Sequence, residues 1–155
     1  MYAIHIIAGL GRGGAEKCLL NYTKSYKKIK HIIIYLSSIN PSKKFFNKNN
    51  CFIFNIREIL KNYSWIYLLK KFFNKDKNYY FVGWMYHGGL ITALIKSFNQ
   101  EINSTVYIHH ASIFRGNLKI KTIIVALALG ILTSLNRSKV IWCSYTGLKN
   151  HKFIY

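Results

Sequence analysis

The sequence predicts a three-layer α/β domain built on a mainly parallel sheet. Two observations carry that prediction. Short apolar runs recur along the chain, and most are followed by a stretch whose apolar residues have helical spacing. Strands that read as continuous apolar runs belong to sheets covered on both faces, which are characteristically parallel. The second observation is the first thirty residues. The run Ala3–Ala8 (AIHIIA) enters the glycine-rich stretch GLGRGG, and Ala15 and Glu16 then open a helical pattern that includes Cys18, Leu19, Leu20 and Tyr22.

The remaining elements follow in order. His31–Leu36 (HIIIYL) is the second strand, and a polar stretch over 37–50 holds the single proline, Pro41. Cys51–Phe54 is a short third strand. Residues 56–74 have helical spacing, with Ile59, Leu60, Tyr63 and Ile66 among the apolar positions and Lys61, Lys70 and Lys71 among the solvated ones. Tyr79–Val82 is the fourth strand, Gly89–Phe98 a helix, Thr105–Ile108 the fifth strand, 118–135 a helix and Val140–Cys143 the sixth strand, with a further helix beginning at Tyr145. Within the 118–135 helix, the apolar run TIIVALALGILTSL (122–135) is shorter than the roughly 20 residues that span a bilayer. It is expected to be a helix buried against the sheet, the alternative being one that dips into a membrane surface.

At 155 residues and 51% hydrophobic, the chain fits one domain with a sizeable core. The formal charge of +19 invites a nucleic-acid reading. The type of cation argues against it: 19 of the 23 basic residues are lysine, whereas arginine supplies most bidentate contacts to bases and phosphates. No nucleic-acid partner is therefore expected. Lysines spread along the chain suit an anionic membrane surface, which attracts basic segments by roughly 1 kcal/mol per nearby Lys. Cys18, Cys51 and Cys143 show no metal spacing and are expected to be buried thiols of a reducing compartment. No secretory signal is visible, so the expected location is cytoplasmic, peripheral to the inner face of a membrane.

The glycine loop admits two chemistries. Its glycines allow positive φ and close approach of a ligand, beside the free N–H groups of a helix start. Gly9, Gly11 and Gly14 satisfy the dinucleotide pattern G-x-G-x-x-G, which also needs an acidic residue about 20 positions further on. No carboxylate lies between Glu16 and Glu58, so a dinucleotide is not expected.

The second chemistry comes from resemblance. GRGGAEKCLLNY (11–22), WMYHGGLITALIK (84–96), VYIHHAS (106–112) and VIWCSYTGLKNH (140–151) resemble, in order and approximate spacing, four blocks of the N-terminal half of family 4 glycosyltransferases. The resemblance implies a Rossmann-like domain, the acceptor-side half of a GT-B enzyme. It implies a retaining transferase that moves a sugar from a nucleotide-sugar co-substrate to a glycan or lipid-linked acceptor in surface polysaccharide or lipopolysaccharide synthesis. No other cofactor and no metal are implied. The half that binds the donor nucleotide lies outside the resemblance. A separately encoded donor domain is therefore an expected partner, and residues 1–155 alone are expected to turn over little.

Candidate site residues sit at predicted strand ends, where open α/β sheets bind ligands. The sequence puts His87 at the end of the fourth strand and His109 and His110 at the end of the fifth. By the resemblance His110 is the catalytic histidine that bonds the donor sugar, with His109 its neighbour. Gly13 and Gly14 face the donor, Glu16 supports its helix or orients an acceptor hydroxyl, and Arg115 is placed to reach a phosphate. Trp84 and Tyr86 are expected in the core, and Ser144 or Thr146 as a helix cap.

Overall fold

A computed structural model of the protein describes residues 1–11, 13–37, 51–61, 79–108 and 120–152. The elements are β1 (Tyr2–Ile7), α1 (Gly14–Ser25), β2 (Lys30–Tyr35), β3 (Cys51–Asn55), α2 (Ile56–Lys61), β4 (Tyr79–Trp84), α3 (Met85–Phe98), β5 (Asn103–Ile108), α4 (Ile120–Leu135), β6 (Lys139–Trp142) and α5 (Tyr145–His151). The strands form one six-stranded sheet in the order β3-β2-β1-β4-β5-β6, and every pairing is parallel. The predicted Rossmann-like α/β architecture is the one observed.

The inner strands β1, β2, β4 and β5 read as apolar runs because both of their faces are largely buried, whereas edge strand β3 leaves Phe52 and Phe54 exposed. On one face Ile7, Ile33, Val82 and Trp84 pack with Leu19 and Leu20 of α1. On the other, Ile4, Ile6 and Phe81 meet Ile91 and Ile95 of α3, while Val106 and Ile108 meet Ala93, Ala126 and Leu129 of α3 and α4. Each fully buried aliphatic side chain contributes roughly 2 kcal/mol.

Helix α3 starts at Met85, four residues earlier than the sequence suggested, and takes Gly88 and Gly89 into its first turns. These glycines serve packing rather than turning. A Cβ on Gly88 would collide with the backbone carbonyl of Ile6, and one on Gly89 would lie 2.7 Å from Val106 Cγ1. Beneath them, a Cβ on Gly83 would lie 2.6 Å from the Gly89 Cα. Three missing side chains thus let α3 lie directly on β1 and β4.

The ends of α3 and α4 are tied by buried Asn136, whose Nδ2 donates to Ala93 O at 2.9 Å and to Ser97 Oγ at 2.8 Å. Asn136→Ala is expected to lower the unfolding free energy by about 2 kcal/mol, read from the urea midpoint. At α5, Ser144 is the cap, its Oγ accepting from the Gly147 N–H at 3.0 Å. His151, fully buried, donates from Nδ1 to Gly147 O and accepts at Nε2 from the Tyr86 hydroxyl, at 2.7 and 2.6 Å.

Three expectations are corrected. Cys18 and Cys143 are exposed and Cys51 is half-buried, because an apolar neighbourhood in sequence does not say which way a side chain faces. Helix α4 is not buried all round: it buries Ala126, Leu129, Gly130 and Thr133 and leaves a row of aliphatic residues in solvent. Gly9, Gly11, Gly13 and Gly14 all keep φ out of the left-handed region. The described residues other than glycine that enter it are Met85 (φ 63°) and Arg137 (φ 48°).

Candidate functional site

The chain runs outward from β1 to β3, then returns to lay β4 on the other side of β1 and runs outward again. The connections after β1 and β4 therefore leave the sheet in opposite directions. Their divergence opens a crevice at the carboxyl ends of the two strands. There a hollow of about 410 Å³ is lined by Gly9, Gly13, Gly14, Glu16, Met85, His87 and Thr122, among others.

Glycine at position 13 makes room for a carboxylate. A Cβ there would sit 2.5 Å from Glu16 Oε2, and one on Gly11 would sit 3.8 Å from Oε1. Glu16 thus folds back over the loop from the first turn of α1, where a negative charge meets the positive end of the helix dipole. Gly13, the residue before α1, offers no side-chain acceptor of its own.

Across the hollow, β4 passes into α3 through Met85. Its left-handed φ costs an L-residue about 1–2 kcal/mol, so the surrounding packing must hold it. The turn carries His87 to the crevice, exposed and on the first turn of α3 rather than at the end of a strand. Thr122, on the first turns of α4, completes this side. Trp84 and Tyr86 flank Met85 and are core residues, 2% and 1% exposed.

Of the candidate residues, Gly13, Gly14, Glu16 and His87 line the same hollow. His109, His110 and Arg115 lie outside the described residues. The hollow combines a carboxylate, an imidazole, a hydroxyl and glycine backbone, a set that fits a neutral, hydroxyl-bearing ligand. The Glu16 charge disfavours a phosphate on its side. Ser37, just past β2, stands where a dinucleotide fold would need its acid, with its Cβ 3.5 Å from the place of a Gly9 Cβ. Among the described residues, no three His, Cys, Asp or Glu side chains gather in a way that could hold a metal ion.

Below the crevice runs a buried polar line that the sequence reading did not single out. The indole N–H of Trp84 donates to His5 Nδ1 at 3.2 Å. Because an indole can only donate, His5 is neutral with its proton on Nε2, which donates to His31 Nδ1 at 3.1 Å. His31 Nε2–H then donates to the Tyr26 carbonyl at 3.0 Å. Both rings are fully buried. Burial, with repulsion from His31, lowers the His5 pKa from 6.5 to about 3. Burial also lowers that of His31, against the opposing pull of its bond to Tyr26. The signal was present in the sequence as a histidine inside each of two otherwise apolar strands.

Trp84 also stacks on Tyr107, with ring centroids 4.9 Å apart. Together with Tyr22, Tyr26 and Trp142 the pair lines a second hollow, of about 540 Å³, between α1 and the β5–β6 side of the sheet. Burial and the neighbouring phenols of Tyr107, Tyr80 and Tyr26 push the Tyr22 pKa up to about 12.

No family model matches the chain, and neither a curated protein nor a solved structure matches it.

Proposed function

We propose that this chain is the acceptor-side domain of a retaining GT-B glycosyltransferase, which moves a sugar from a nucleotide-sugar donor to a glycan or lipid-linked acceptor. The products on this reading are surface polysaccharide or lipopolysaccharide. The observation that carries it is the hollow at the switch point between β1 and β4, where Glu16 and His87 face one space over a glycine floor. The carboxylate accepts hydrogen bonds from acceptor hydroxyls, and His87 supplies a second polar group. The donor nucleotide belongs to a second domain, which closes over the crevice and excludes water. Holding the two substrates in register can supply roughly 7–11 kcal/mol of the barrier.

The charge of +19 favours a second reading, a non-enzymatic basic module on a membrane or nucleic acid. One experiment separates the two. The full chain is incubated with radiolabelled nucleotide sugars and lipid-linked acceptors, with and without a donor domain supplied in trans. Transfer is expected only with the added domain, and His87→Ala or Glu16→Gln is expected to lower it about a hundredfold. Absence of transfer, together with nucleic-acid binding that falls steeply with salt, would overturn the proposal in favour of the second reading.

A further inference from the structure

Helix α4 leaves Ile120, Ile124, Leu127, Ile131 and Leu135 in solvent, each between 43% and 73% exposed. At 3.6 residues per turn these five fall within an arc of roughly 80° and run about 22 Å along the helix. The buried residues Ala126, Leu129, Gly130 and Thr133 lie on the opposite side, against α3 and the sheet. The row therefore points straight away from the body of the protein. From Thr122 to Asn136 the helix and its end carry no charge, while exposed Lys121, Arg137 and Lys139 stand at the two ends. Phe98, at the end of the neighbouring helix α3, is 84% exposed, and the Asn136 bond to Ser97 brings that end beside the end of α4.

We infer that this face of α4 is where the protein lies on an anionic lipid surface. An apolar row bounded by cations has the form of a helix that rests in the headgroup region with its aliphatic side chains in the acyl boundary. Charge selects the occupant. A second copy would bring another +19 against the first and set like charges together at both ends of the row, whereas an anionic leaflet complements them. No helix among the described residues is long and apolar enough to cross a membrane, so α4 lies on the surface and does not span it. Thr122, at the start of α4 on the side opposite the row, lines the Glu16–His87 hollow, so the hollow lies one helix width, roughly 10 Å, from the lipid, within reach of the head of a lipid-linked acceptor. That last link rests on the function proposed above, but the membrane face is tested without any sugar transfer.

The test is co-sedimentation of the full chain with vesicles of phosphatidylcholine alone or with about one third phosphatidylglycerol, at low and high salt. Binding is expected to the anionic vesicles, weakening as salt screens the lysines. Ile124→Ser with Ile131→Ser, checked for unchanged circular dichroism, is expected to weaken it at least about tenfold. As a milder second probe, Ile131→Trp is expected to shift its emission to the blue and to be quenched by brominated lipid. Equal binding by the serine double variant, or an Ile131→Trp emission that vesicles leave unchanged, would overturn the inference. So would a dimer in solution that the serine substitutions dissolve, which would mean that a second copy covers the row.

Discussion

Gly88→Ala is expected to lower the unfolding free energy by roughly 3 kcal/mol or more, enough to leave a marginal domain partly unfolded. The added methyl would run into the carbonyl of Ile6 in β1, a backbone group that cannot rotate aside. Relief requires α3 to lift from the sheet, which loosens the contacts of Ile91 and Ile95 and the crevice at the same time. Gly14→Ala is the control. A Cβ there meets nothing within 4 Å, so its midpoint in urea is expected to stay within about 0.5 kcal/mol of the parent. Equal effects at the two sites would refute this account of how α3 seats.

The second large effect is acid sensitivity. His5 has a folded pKa of about 3 against 6.5 unfolded, so between those values the unfolded chain binds a proton that the folded chain refuses. The neutral state's contribution to stability is complete above pH 6.5 and is lost as pH falls towards 3. At roughly 1.4 kcal/mol per pH unit the full window is worth about 5 kcal/mol. His31, shifted in the same direction, adds to it. The geometry agrees, because a proton on His5 Nδ1 would face the Trp84 N–H it now accepts. Only four side chains are acidic, so their titration does little to mask the histidines. Urea midpoints measured from pH 7 to 4 should fall steeply for the parent. His5→Leu should be weaker at pH 7, having orphaned two partners, yet show a shallower slope. An unchanged slope would remove His5 as the cause.

Much of the fold was legible because a parallel sheet covered on both faces writes itself as apolar runs. AIHIIA and HIIIYL are strands in the structure for that reason. What the sequence hid was direction. Cys18 and Leu19 are neighbours in one apolar stretch, yet α1 turns Leu19 to the core and Cys18 to solvent. The apolar α4 could be read as buried because an unbroken run conceals which face has a partner. Gly88 and Gly89 passed for a turn because a glycine needed for close packing looks the same in sequence as one needed for φ. In the crevice, Gly13, Gly14, Glu16 and His87 could be brought together from motif spacing and the rule that ligands bind at strand ends. Met85, Thr122 and the His5–His31 line could not, since each depends on a contact between distant parts of the chain.

The strand order also dictates a timetable for synthesis. β1 is translated before the other five strands, yet it lies in the middle of the sheet, and Tyr2 finds its partner Tyr79 only after the residues between them have been made. At about 5–20 residues per second, one edge of the first strand waits roughly 4–15 s on the ribosome for its neighbour. Through that interval Ile4 and Ile6 lack Phe81 and the α3 residues that later cover them. That side of the first strand stays uncovered until Gly88 emerges and α3 can press the sheet closed.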